Sequence, residues 1–103
     1  MSFTGNESES VALTDAANWT RNFRDANPDS VKAHFFGKTK INTILNQTGC
    51  VGIRIYQAID DDGAPVLVIV GVTSSETDQT SGTLLERSVP CPPNCDANST
   101  LMK

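Results

Sequence analysis

Apolar positions along this chain follow two periods. From Leu13 to Leu45 they recur at steps of three and four, the spacing of one helix face; from Val51 to Ile59 they recur every second residue, as on one face of a strand. Leu13, Ala16, Ala17, Thr20 and Phe23 define a first helix, with Trp19 widening its apolar side. Thr14 is the expected cap, and Asp15 suits the positive end of the helix dipole. The helix is expected to stop near Ala26, because Pro28 holds Asn27 in extended geometry. Asn27-Pro28-Asp29 then reads as a new helix start, with the second helix running to Phe36 and closed by Gly37. Ile41, Ile44 and Leu45 predict a third, from Lys38 to a stop at Gly49.

In the second half, Val51, Ile53, Ile55, Gln57 and Ile59 alternate with Gly52, Arg54, Tyr56 and Ala58. Asp60-Asp61-Asp62-Gly63 is a turn, and Val66 to Val72 returns as the partner strand, so a hairpin is predicted over 51–59 and 65–73. A third strand is expected within Thr83 to Val89, after the polar loop Ser74 to Gly82. Pro90, Pro92 and Pro93 then exclude helix and central strand. The expected fold is therefore α+β: two to three short helices packed on a small antiparallel sheet built around the hairpin, with a loose C-terminal tail. Residues 1–12 are expected to be mobile, 13–89 to form a single domain, and 90–103 to be a Pro- and Cys-containing tail.

Val66-Leu67-Val68-Ile69-Val70 is apolar on both faces, whereas a strand with one wet face alternates. Such a strand must be covered twice. The helices can cover one face, leaving the other to the C-terminal segment or to a second copy of the chain, and a homo-oligomer is the expectation.

At 103 residues, 38% hydrophobic and 19% charged, the chain has room for one modest core, and collagen-like, coiled-coil and strongly disordered classes are excluded. The net charge of −4 is uneven: residues 1–20 carry −3, residues 21–54 carry +4 and residues 55–103 carry −5. Arg21, Arg24, Lys32, Lys38, Lys40 and Arg54 make the middle a basic layer that would attract a polyanion or nucleic acid. A pI near 4.7, wide spacing of the bases and no aromatic platform speak against nucleic acid, and favour an ordinary solvated face. No apolar run approaches the length of a membrane span, and Met1 to Ser10 is polar and acidic, unlike a secretory leader. A cytoplasmic protein without membrane attachment is expected.

Three cysteines, Cys50, Cys91 and Cys95, cannot all pair within one chain, and thiols rather than a disulfide framework are expected. Around them stand the strings Ala33-His34-Phe35-Phe36-Gly37, Gly49-Cys50-Val51-Gly52-Ile53-Arg54-Ile55-Tyr56 and Ser88-Val89-Pro90-Cys91-Pro92-Pro93-Asn94-Cys95. Through them, residues 13 to 95 resemble a family of small bacterial proteins of the kind common in Bacteroidetes. The resemblance implies a small cytoplasmic protein and carries no activity or catalytic residue.

Cys50, Cys91 and Cys95 with the sole histidine, His34, amount to a Cys3His set of the kind that suits tetrahedral zinc. The spacing argues against it, since a second close pair of ligands is missing. Thiol-redox work by Cys91 and Cys95 is the related alternative, although catalytic dithiols use Cys-x-x-Cys at a helix start. A cysteine hydrolase would need His34 as its base, and nothing in the sequence places the two together. No Gly-x-Ser-x-Gly elbow and no Gly-rich phosphate loop exists. The Asp60–Asp62 run lacks the glutamate that ends a calcium loop, so a hairpin turn accounts for it. Arg54 and Tyr56 share the semi-polar face of their strand, where they would line a ligand or interface, or where Arg54 pairs with a carboxylate such as Asp60 or Glu86. The first functional reading is a non-enzymatic binding or assembly module that self-associates through the hairpin sheet. A zinc or thiol-redox protein is the alternative, and a polyanion-binding module the third.

Overall fold

The computed structural model describes residues 2–103. It is α+β, with two α-helices and two small antiparallel sheets. In chain order the elements are α1 (Leu13–Ala26), β1 (Ala33–Phe35), α2 (Lys38–Leu45), β2 (Cys50–Ile59), β3 (Pro65–Thr73), β4 (Leu84–Leu85), β5 (Val89–Cys91) and a 3-10 turn, η1 (Thr100–Met102). They fall into two compact units. Of the described residues, one comprises 2–7 and 36–88, the other 8–35 and 89–103. Each unit gathers segments that are distant along the chain.

The first unit is built on the hairpin. β2 and β3 pair antiparallel from Gly52↔Val72 to Ile59↔Pro65, with a bulge between Cys50 and Gly52. The turn is an Asx turn: the Asp60 carboxylate accepts from the Asp62 and Ala64 amides, and Gly63 takes the left-handed φ of 84° that the bend requires. β4 adds to the other side of β3 through Ile69↔Leu85 and Val70↔Leu84, so β3 is central and the order is β2-β3-β4. Ile69, Val70 and Val72 are buried, as is Ile44 of α2, which packs on β2 and β3. Ile69 and Val70, adjacent and therefore on opposite faces, are both covered within the chain, whereas residues 66–68 nearer the turn are half-buried.

Gly71 has a specific reason to lack a side chain. A Cβ there would stand 2.5 Å from Gln79 Oε1 and 2.8 Å from Gln47 Nε2. Those two amides lock the end of α2 to the loop after β3: Gln47 Nε2 donates to Gln79 Oε1 at 3.1 Å, and Gln47 Oε1 accepts from the Thr83 amide at 2.8 Å.

The second unit corrects several expectations. Residues 27–30 form a turn and not a helix start, and Ala33–Phe35 is a strand paired with Val89–Cys91. The pairing is tertiary, with the Lys32 amide donating to the Cys91 carbonyl, and no local signal announces it. Gly37 is accordingly no helix stop; it is the extended residue that caps the start of α2. α1 begins at Leu13, before Thr14, and its cap residue Ala12 makes no side-chain hydrogen bond. Its apolar stripe buries only Ala17, while Leu13, Trp19 and Phe23 are exposed. The expected third strand is split between β4 and β5, one in each unit.

The C-terminal end is loose, with η1 as its last regular element. Arg21 and Arg24 of α1 donate to the carbonyl oxygens of Lys103 and Leu101. Cys91 and Cys95 are joined in a disulfide, their Cα atoms 4.8 Å apart, which corrects the expectation of free thiols. The reason is local geometry: the Asn94 amide returns to the Pro90 carbonyl, folding the chain back within disulfide range. Cys91 and Ala17 are the only buried apolar residues of this unit among those described, and a unit so thinly cored gains from a covalent staple. The short loop limits that gain to about 2 kcal/mol. Cys95→Ser is expected to lower the unfolding free energy of residues 8–35 and 89–103 by about that much. Exchange of the Lys32 and Asn94 amides, which donate to the Cys91 and Pro90 carbonyls, in a urea series checks it, and an unchanged midpoint would refute it.

Candidate functional site

β2 is an edge strand, hydrogen-bonded to a neighbour on one side only. On one of its faces lie Ile53, Ile55, Gln57 and Ile59, and the exposure of the isoleucines climbs along the strand from 39% to 50% to 76%. Natural edges are blunted by lysines, prolines, bulges or extreme shortness. This one has a bulge at its first residues and then continues unprotected for the seven residues from Ile53 to Ile59.

Strand alternation decides which backbone groups face outward. The Asp60 amide donates to the Ala64 carbonyl, so in this register the even-numbered residues of β2 bond to β3. The amides and carbonyls of Ile53, Ile55, Gln57 and Ile59 consequently point off the free edge. Gly71 of β3, bonded in the opposite direction to the Gln79 amide, agrees with that parity.

The opposite face of β2 carries Arg54 and Tyr56. Both reach Asp78: the Arg54 guanidinium donates to Oδ1 and the Tyr56 hydroxyl to Oδ2. Neither Asp60 nor Glu86, the carboxylates suggested by sequence, is the partner. Asp78 is set opposite Val72 by an isolated bridge after β3, and that tertiary placement brings it to the Arg54 side. The Tyr56 hydroxyl and the Asp78 carboxylate hold the guanidinium above its ordinary value, so it stays protonated at any working pH. The Phe3 ring lies over it, 5.7 Å from centroid to Cζ, and the Phe3 amide donates to the Ser74 carbonyl. Sequence reading missed Phe3 and Asp78; a lone aromatic in a polar terminus and one acid in a polar loop leave no periodic trace.

Phe3 is placed by a charged turn. The Glu7 carboxylate accepts from the Thr4 and Gly5 amides at 2.8 Å each, and these bonds hold its pKa below the ordinary value. A depressed carboxylate pKa favours the folded turn at pH above the ordinary value, and the contribution is lost as pH falls through the lowered one. The Thr4 and Gly5 amide resonances are expected to shift together at a midpoint below that of a free glutamate. A midpoint at the ordinary value would refute the turn.

The zinc set is not assembled. Cys91 and Cys95 are bonded to each other, Cys50 belongs to the first unit, and His34 sits in β1 opposite Pro90. Among the described residues no group of three or more His, Cys, Asp or Glu side chains is placed to hold a metal ion. The Cys50 thiol is free of any disulfide and donates to the Gly52 carbonyl at 3.2 Å.

The six bases read as one layer divide between the units: Arg21, Arg24 and Lys32 in one, Lys38, Lys40 and Arg54 in the other. Arg54 is on a strand and is neutralised by Asp78. Among the described residues no helix is long and apolar enough to cross a membrane. Comparison with protein-family models, with curated proteins and with solved structures finds no match for the chain.

Proposed function

We propose that this protein is a binding or assembly module, not an enzyme, and that it associates with further copies of itself through the hairpin sheet. The observation that carries the reading is β2: an unprotected edge strand whose isoleucines, Ile53, Ile55 and Ile59, are exposed along one face. Water in contact with such a row is released when a like surface covers it, at about 25 cal/mol for each Å² of apolar area buried. The unpaired amides and carbonyls of the same strand gain partners in the same event.

Light scattering over a micromolar concentration series tests the reading. The apparent mass is expected to rise from 11.0 kDa toward at least twice that value as concentration increases. A mass that stays at the monomer value throughout would sink it.

A further inference from the structure

Resting on that self-association, we infer that two copies join β2 to β2 edge to edge, antiparallel about a two-fold axis at Tyr56, so that two three-stranded sheets become one sheet of six. The regular part of the free edge runs from Ile53 to Ile59, beyond the bulge at Cys50 and Gly52. Tyr56 is its midpoint. Antiparallel pairing centred there is the one register that uses all seven residues, setting Ile53 opposite Ile59 of the other copy and Ile55 opposite its Gln57.

The backbone parity fits this register. Ile53, Ile55, Gln57 and Ile59 direct their amides and carbonyls off the edge, and in the pairing each of them meets another of the four. Antiparallel residues of that kind exchange two hydrogen bonds per pair, about eight across the two-fold interface. Of the side chains, Ile59 is the most exposed and would lie against Ile53 of the second copy, the least exposed of the three, on a single continuous apolar face. A parallel pairing would match like with like along the strand and could not close on itself as a two-fold pair.

Charge selects a second copy over an unrelated extended peptide. β2 is polar in its charge, with Arg54 toward its start and Asp60-Asp61-Asp62 just past its end. Antiparallel pairing about Tyr56 puts Arg54 opposite Ala58 of the other copy and diagonal to that copy's Asp60, about 7–8 Å away and within reach of a long side chain. The arrangement is repeated by symmetry, so the guanidinium of each copy, already paired with its own Asp78, also faces the acidic turn of the other. A hydrophobic peptide without acids at that position would lack this complement.

Cross-linking tests the register. In a Cys50→Ser background, Tyr56→Cys puts two thiols across the axis at a non-hydrogen-bonded pair, with Cα atoms about 4.5 Å apart, inside the disulfide range. Incubation with oxidised glutathione is expected to convert most of that variant to a covalent dimer, while Ala58→Cys, which faces Arg54, stays monomeric on a non-reducing gel. In the unsubstituted protein, amide exchange followed by NMR is expected to show Ile53, Ile55, Gln57 and Ile59 gaining protection as concentration rises, with Arg54, Tyr56 and Ala58 protected throughout. A concentration-dependent dimer in which those four amides gain nothing, or in which Ala58→Cys cross-links as fast as Tyr56→Cys, overturns the edge pairing and leaves self-association standing. A strict monomer overturns both, and protection of the four amides only on adding an apolar peptide assigns the edge to a different partner.

Discussion

The double variant Ile55→Lys/Ile59→Lys is expected to remain monomeric at concentrations where the unsubstituted protein associates. Both isoleucines are at least half exposed on the edge strand, so the fold does not depend on them. Covering the exposed half of one isoleucine contributes about 1 kcal/mol, and two-fold symmetry counts each position twice. At a factor of ten for every 1.4 kcal/mol, each substitution raises the dissociation constant roughly thirty-fold and the pair raises it several hundred-fold. Lysine adds like-charge repulsion across the axis and is the residue that natural edges use to stay unpaired. Sedimentation equilibrium reads the constants, with circular dichroism confirming an unchanged fold. A double variant that associates as tightly as the parent would move the interface away from β2.

Ile44→Ala is expected to cost about 3–4 kcal/mol of stability in the hairpin unit, the largest effect of any single truncation there. Ile44 has no exposed surface at all and is the buried residue of α2, the helix that packs on β2 and β3. The loss combines the transfer free energy of the removed methylenes with the cavity they leave. Against a domain stability of about 5–15 kcal/mol, it brings the unit close to unfolding at room temperature. Urea unfolding at one fixed protein concentration measures it; Ile44→Val, expected to cost about 1 kcal/mol, serves as the graded control. A loss below 1 kcal/mol for the alanine variant would place the core elsewhere.

The two substitutions separate what the isoleucines of this chain do, and sequence alone does not separate them. Ile44 and Ile59 are the same residue type on equally regular patterns, yet one is fully buried and the other largely exposed. In the sequence, self-association follows from the doubly apolar strand from Val66 to Val70, which needs an outside cover. In the structure that strand is the central one, flanked by β2 and β4, with Ile69 and Val70 buried within their own chain and residues 66–68 half-buried. The uncovered apolar surface lies instead on the alternating strand beside it, because order in a sheet, and not hydropathy, decides which strand is at the edge.

Local chemistry also explains which elements were readable. The hairpin was, because an alternating run on one side of an Asp-Gly turn and a continuous apolar run on the other leave register little freedom. α2 was, through Ile41, Ile44 and Leu45. The segment from Asn27 to Phe36 was misread, since Asn-Pro-Asp starts a helix or a turn equally well. Its strand identity comes from Val89–Cys91, more than fifty residues away in the chain.

By itself, then, the sequence determined the α+β class, the hairpin with its turn, the position of α2 and the shared face of Arg54 and Tyr56. These follow from periodicity and turn chemistry, which act over a few residues. Only the tertiary structure decided that Ala33–Phe35 is a strand, that Cys91 bonds to Cys95, that Asp78 is the partner of Arg54 and that β2 is the free edge. Each of those depends on segments far apart in sequence meeting in space, and the free energy that selects such meetings belongs to the packed unit and not to any window of the chain.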